Sequence, residues 1–324
     1  MVALGSGRNV WVAETAGPAG SVGQAESDEK DLVLCVHGMS GAATNWTDFM
    51  GELAPDFDCA AVDLPGSGYS PPPRTRSGYS ITAQAGVIIA LIEVLTAARR
   101  RGGVHLVGNS MGGSVALRAA ARRPDLVKTL TLISPALPDR PLRRLRRQTA
   151  HFPVIALPFV GDRLVRRYAR IPAENRVAGV FETCYYDPAH LGADQFAREV
   201  ADLRERDKLG YDPDVIVGAA RTLVGETLRP HRFSLWSAAE RVTIPALVMF
   251  GSHDQLVSPQ LAAIAARAFP DARVLVLPLT GHIAQMERPA LVAAQFREMV
   301  ARTRTRTGDG FPRGNSGHRD SVDA

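Results

Sequence analysis

Cysteine, aromatic residues and long apolar runs are all scarce in this chain, and each scarcity removes a class of protein. Three cysteines among 324 residues form an odd set without a CxxC pair, which excludes a disulfide framework. Cys35 and Cys59 stand in apolar, strand-like runs and read as inert buried thiols; nothing near Cys184 marks it as reactive. No zinc-ligand spacing occurs, and no metal or organic cofactor is expected. The longest clean apolar run, Phe152 to Gly161, falls far short of the roughly 18 residues that cross a bilayer. The opening MVALGSGRN lacks a basic stretch followed by an apolar core, so no secretory leader is expected. These features suit a soluble, cytoplasmic protein in a reducing compartment.

Positive charge is present, but in the wrong arrangement for nucleic acid. The net charge is +5 and the isoelectric point about 9.4. Much of the excess lies in Arg140, Arg143, Arg144, Arg146, Arg147, Arg163, Arg166, Arg167 and Arg170 and in the carboxyl-terminal tail. No aromatic residues are interleaved there as a base-stacking platform requires. A nucleic-acid partner is not expected, and membrane contact is peripheral at most.

Apolar residues make up 45% of the chain, and their arrangement sets the fold class. Short β-branched-rich runs alternate with helical patterns, as in a mostly parallel sheet with helices on both faces. Strands are expected at 9–14, 31–36, 58–63, 104–107, 128–133, 246–250 and 273–277. The run 31–36 is apolar after its first residue, as a strand covered on both faces must be. Helices are expected at 80–98, 111–122, 259–268 and 289–301; in the first, Ile81, Ala85, Ile88, Ile92 and Leu95 form one stripe. From 136 to 235 the alternation stops, leaving proline and amphipathic pieces. The chain therefore divides into a core (1–135 and 236–301), an inserted helical cap (136–235) and a polar tail (302–324) expected to be disordered.

Chemistry concentrates where a buried strand meets a helix. Gly108-Asn109-Ser110-Met111-Gly112 is a GxSxG, whose small residues permit a tight turn that lifts the serine hydroxyl above the sheet. With 29 Gly and 17 Ser, chance alone supplies about 0.13 such matches, so context must decide. Here a strand precedes the motif and a helix follows. The amide of Met111, at the helix start, is one expected donor to an oxyanion. A second is the amide of Met39 in His37-Gly-Met-Ser-Gly41, where glycine allows close backbone approach. His37 reads chiefly as a group bonding that loop. His37, Gly38 and Asn109 are also placed at the substrate.

A serine hydroxyl is un-ionised near neutral pH and needs a base. His282, in a loop between strand 273–277 and helix 289–301, reaches the same rim. Asp254 follows the strand 246–250 and is the expected partner of that histidine. His253 beside it is a poor rival, since neighbours on one loop do not readily line up acid and base with a distant serine. Asp139 is the reserve acid.

Taken together, HGMSG, DLPGSGYS (63–70), GNSMGG, GSHD and the Gly281-His282 to Pro289 stretch resemble the α/β-hydrolase superfamily. The resemblance covers about 9–135 and 236–301 and implies the order Ser, Asp, His along the chain, a cap inserted after the sixth strand, and a glycine-rich loop beside the site. Haloalkane dehalogenases and soluble epoxide hydrolases use aspartate where this chain has Ser110, so the resemblance implies ester, thioester, amide, lactone or carbon–carbon hydrolysis, or acyl transfer. Cleavage of an apolar carboxylic ester or related acyl bond (class EC 3.1.1) is the leading expectation. Carbon–carbon hydrolysis, acyl transfer, or ligand binding with negligible turnover are the alternatives.

Overall fold

The computed structural model describes residues 1–4, 8–15, 30–99, 102–139, 151–190 and 192–307. The arginines between 140 and 147, and the tail beyond 307, lie outside the described residues. A seven-stranded sheet runs in the order β3-β5-β4-β6-β7-β8-β9. Its members are β3 (Val12–Glu14), β4 (Leu32–Val36), β5 (Asp58–Val62), β6 (Val104–Asn109), β7 (Val127–Ile133), β8 (Ala246–Gly251) and β9 (Ala272–Leu277). All neighbours pair in parallel except β3, which is antiparallel to β5.

The apolar runs become central strands because both faces are covered. Leu34 and Val36 point into one core cluster, with α2 (Ile81–Arg99), α3 (Ser110–Arg122), α9 (Leu235–Ala239) and α10 (Leu261–Ala268). Val33 and Cys35 point into the other, with α1 (Thr47–Leu53) and α12 (Pro289–Thr307). Successive residues alternate faces, as strand geometry demands. From β4 the chain goes outward to β5, then returns to place β6 on the opposite side of β4. The crevice beyond the carboxyl ends of β4 and β6 is thus the topological switch point, where open α/β sheets bind ligands.

Between β7 and β8 the described residues hold no strand and include the helices α4 (Phe152–Ala156), α5 (Val160–Tyr168), α6 (Ala173–Cys184), α7 (Ala193–Asp207) and α8 (Asp212–Leu228). A third apolar cluster joins this insert to the core, pairing Val177, Phe181 and Leu203 with Ile283 and Met286.

The structure departs from expectation in four places. The expected strand 9–14 is broken at Trp11: β2 (Arg8–Val10) pairs with β1 (Val2–Leu4) in a separate ribbon, and only β3 enters the main sheet. Helix α1 has no counterpart in the expectations. Residues 302–307, expected to be disordered, continue α12, because Arg304 donates to Asp31 Oδ2 at 2.8 Å and Arg302 to Glu298 at 2.7 Å. Finally, Ile81–Ala98 of α2 is long and apolar enough to cross a membrane by length and composition, but its apolar stripe packs into the sheet.

Candidate active site

Backbone strain gathers at one rim of the sheet. Ser40, Ser110, Ser134 and Leu279 all have positive φ, between 44° and 59°, and all follow the carboxyl ends of strands. Such conformations cost side-chain-bearing residues of order 1–3 kcal/mol each and persist only where the surroundings enforce them.

Ser110 opens α3 directly after β6, with φ +54°. The glycines around it are sterically required. A Cβ on Gly112 would fall 2.2 Å from the His37 carbonyl oxygen, and one on Gly108 would fall 2.6 Å from the Gly112 carbonyl oxygen. The helix start is thereby pressed against the end of β4, leaving Ser110 half-buried between two buried neighbours. Met111 is the second residue of α3, and amides in the first helical turn have no partner within the helix. Facing it, Met39 sits in a turn closed by the Gly41 amide on the Gly38 carbonyl at 3.2 Å. The turn touches the serine: a Cβ on Gly38 would lie 3.1 Å from Ser110 Cβ.

Two of the residues expected at the substrate also hold loops. His37 is 1% exposed. Its Nδ1 donates to the Gly38 carbonyl at 2.7 Å, and its Nε2 accepts from the Leu64 amide at 3.0 Å. Burial lowers its pKa to about 4, so the ring stays neutral and ties the 37–41 turn to the 63–70 loop. Asn109, 2% exposed, donates its side-chain amide to the carbonyls of Ile133 and His282, both at 3.1 Å. It sets the His282 loop beside the serine strand. Gly38 and Asn109 both line the cavity described below, whereas His37 lies outside its lining.

His282 and Asp254 meet as a buried pair, Nδ1 to Oδ2 at 2.8 Å, with side-chain exposures of 4% and 0%. Asp254 Oδ1 accepts the amides of Leu256 and Val257 at 2.8 and 2.9 Å. Burial pushes the Asp254 carboxyl up, but His282, the Val257 amide and the Ser134 hydroxyl outweigh it and hold the pKa below its ordinary value. The carboxylate is therefore ionised, and it fixes the imidazole proton on Nδ1. The two loops fit closely: a Cβ on Gly251 would lie 2.0 Å from the Gly281 carbonyl oxygen. His253 is exposed, bonds Ser252 and packs at a tilt against Tyr186. Asp139 borders the cavity, but the bond to His282 belongs to Asp254.

Ser110 and His282 line one cavity of about 1030 Å³, roofed by the insert and mostly apolar. Several polar residues in its wall or beside it had no role legible in the sequence. Cys184, buried at the end of α6, accepts the His282 amide on its carbonyl at 2.6 Å, and burial, helped by Asp254 and Glu287, pushes its thiol up to about 12. Glu287 accepts the Gly281 amide at 2.7 Å through one oxygen and the Tyr186 amide at 2.9 Å through the other. Glu199 accepts from Asn45 at 3.1 Å, and Arg206 binds Asp202 at 2.7 Å. The contacts of Cys184 with His282, of Glu287 with Tyr186 and of Glu199 with Asn45 join residues far apart in the chain, which no local motif reveals. Among the described residues, no group of three or more His, Cys, Asp and Glu side chains assembles as a metal-ligand set.

A hydroxyl at a strained elbow, a buried His–Asp pair and amides at a helix start form an arrangement capable of nucleophilic attack on a carbonyl. The comparisons agree with this architecture. A model of the alpha/beta hydrolase fold matches residues 31–289, and the chain belongs to that family. It is 30% identical over 283 residues to a 2-(acetamidomethylene)succinate hydrolase of Mesorhizobium japonicum, covering 85% of this chain and 90% of that one. It is 26% identical over 281 residues to the mouse (Mus musculus) monoacylglycerol lipase ABHD6, covering 84% and 76%. Among solved structures, the 2-hydroxy-6-oxo-6-phenylhexa-2,4-dienoate hydrolase of Rhodococcus sp. strain RHA1 superposes with a TM-score of 0.63. That likeness has 24% identity and covers 90% of this chain and 99% of the other. The chain is a hydrolase-family protein whose relatives act on small molecules.

Proposed function

We propose that the protein is a cofactor-independent serine hydrolase that cleaves an apolar carboxylic ester, or a related acyl bond, through an acyl-enzyme. Ser110 Oγ attacks the carbonyl as His282 takes its proton, and the oxyanion rests on the amides of Met39 and Met111. The leaving group recovers the proton from His282. Water, deprotonated by the same ring, then releases the acid and restores Ser110. Asp254 stays ionised throughout, orienting the ring and stabilising the imidazolium. The insert acts as the cap that selects the substrate. Three free cysteines fit a reducing, cytoplasmic setting.

The observation that carries this reading is the Asp254–His282 bond opening onto the same apolar cavity as Ser110. Apolar lining favours an apolar acyl or alcohol group, since each buried CH₂ contributes about 0.8 kcal/mol. A fluorophosphonate probe should label the wild type and leave Ser110→Ala unlabelled. A panel of p-nitrophenyl esters of rising chain length should then show kcat/KM climbing with length until the cavity is filled. Absence of labelling in folded wild type overturns the proposal. Labelling without turnover of any ester would reassign the site to carbon–carbon hydrolysis or acyl transfer.

A further inference from the structure

Helix α5 turns an apolar stripe outward. Val160, Leu164 and Tyr168 recur at four-residue spacing, which places them on one face, and they are 45%, 45% and 40% exposed. Leu157 and Phe159, at 51% and 86%, extend the stripe at one end, and Ile171, at 40%, at the other. A surface helix ordinarily turns such a stripe toward the core. Here the inward face is already taken by Val165 and by Gly161, where a Cβ would fall 1.8 Å from the Ile155 carbonyl oxygen. The outward stripe is therefore a second apolar face.

The tip of this face is a built feature. Phe159 holds φ at +63°, a conformation unfavourable for an aromatic residue, while its ring remains in solvent. Its amide bonds Asp162 Oδ2 at 3.2 Å, and Arg221 of α8 secures the preceding turn by donating to the Ala156 carbonyl at 3.0 Å. Beside the stripe, Arg163, Arg166, Arg167 and Arg170 are all exposed. From 159 to 171 these four arginines face one acid, Asp162, which is engaged in the cap. Leu164, Tyr168 and Ile171 also line the cavity that contains Ser110, so the stripe adjoins its wall.

We propose that this face docks the protein on an anionic lipid bilayer, the stripe entering the interface and the arginines resting on headgroup phosphates. Apolar and cationic rows side by side on one helix are what such a surface attracts. A two-fold pairing of the face with itself would instead crowd two sets of four arginines into one contact. The inference concerns binding alone and does not rest on the hydrolytic reading.

The test is flotation of the full chain with vesicles of phosphatidylcholine alone or mixed with phosphatidylglycerol. Binding should be at least about tenfold stronger on the anionic vesicles and should weaken with salt. The pair Leu157→Asp and Phe159→Asp, whose side chains lie outside the cavity lining, should reduce it about tenfold with probe labelling of Ser110 unchanged. If that pair compromises folding, Arg166→Glu with Arg167→Glu tests the same face from its charged side. Ser110→Ala should float like the wild type. Failure of the folded chain to float on anionic vesicles, or undiminished binding by both pairs, overturns the proposal. So would a dimer in sedimentation velocity that the apolar pair dissolves while vesicle binding is nil, since a second copy would then be the occupant.

Discussion

Substituting asparagine for Asp254 keeps the shape of the side chain and reverses the chemistry of one atom. The amide oxygen can take the place of Oδ1, because two donors, the Leu256 and Val257 amides, already point there. The amide NH₂ then faces His282 Nδ1, where a donor meets a donor at a separation that is 2.8 Å in the native pair. The ring escapes this conflict by carrying its proton on Nε2, and the nitrogen that should receive the serine proton becomes a donor. The imidazolium formed during attack also loses its counter-charge. For two unit charges about 4 Å apart at an effective dielectric of 20 this amounts to about 4 kcal/mol. Together with the wrong tautomer, the loss expected is about 10⁴ in kcat, or ~5.4 kcal/mol at 1.36 kcal/mol per tenfold.

The assay is steady-state hydrolysis of the best p-nitrophenyl ester near neutral pH, with thermal melts of both proteins alongside. KM should change far less than kcat, since Asp254 is buried behind the imidazole and makes no contact with the cavity. A kcat within about tenfold of wild type, with an unchanged melt, would refute the reasoning. Asp139 would then be the acid to substitute next.

Two further substitutions probe groups whose roles the sequence did not reveal. Glu287→Ala removes the acceptor shared by the Gly281 and Tyr186 amides; it should lower kcat about tenfold and stability by about 1–3 kcal/mol, with Glu287→Gln milder in both, as kinetics and melting would show. Glu199 titrates at about 7, raised by burial and by Asp202 against the opposing Arg206 and Arg198, with Asp48 adding to the rise. Because its folded pKa lies above the unfolded one, the folded chain holds this proton more tightly, and stability declines as pH rises from about 4.5 through 7. At about 1.36 kcal/mol per pKa unit the span from 4.5 to about 7 is at most about 3.4 kcal/mol, reduced by the water that still reaches the side chain. Glu199→Gln should therefore melt with a shallower pH dependence between pH 5 and 8, and identical slopes would contradict the assignment.

What the sequence disclosed followed the physics of local patterning. Central strands such as β4 and β8 are legible because a strand covered on both faces must be apolar throughout. The elbow at Ser110 is legible because backbone crowding leaves glycine as the residue for positions 108 and 112. The break at Trp11 was not legible, since an alternating run carries no mark of which neighbour each half will pair with. The helical extension to Thr307 depends on a charge contact between Arg304 and Asp31, 273 positions apart, in a segment with almost no apolar residues. His37 and Asn109 sit within motifs that point to substrate, but only the fold shows that backbone partners occupy both ring nitrogens of His37 and the side-chain NH₂ of Asn109. Glu199 lies in an unremarkable helical stretch and Glu287 in the 281–289 stretch without a role of its own; both acquire roles through contacts between distant segments.

Those distant contacts bear on what the insert does. The His282 amide is held by the carbonyl of Cys184, at the end of α6, and Gly281 is so close to that turn that a Cβ would fall 2.1 Å from the same oxygen. Glu287 grips the insert through Tyr186 and the histidine loop through Gly281. Ile283 and Met286, immediately after the histidine, belong to the insert's apolar cluster rather than to either face of the sheet. The imidazole is thus positioned by the core through Asp254 and by the insert through its own backbone. A movement of α6 that admits substrate must either carry the histidine with it or break these bonds. It follows that exchanging the insert for that of a relative should alter kcat as well as KM, because the exchange replaces part of the scaffold of the base along with the walls of the cavity.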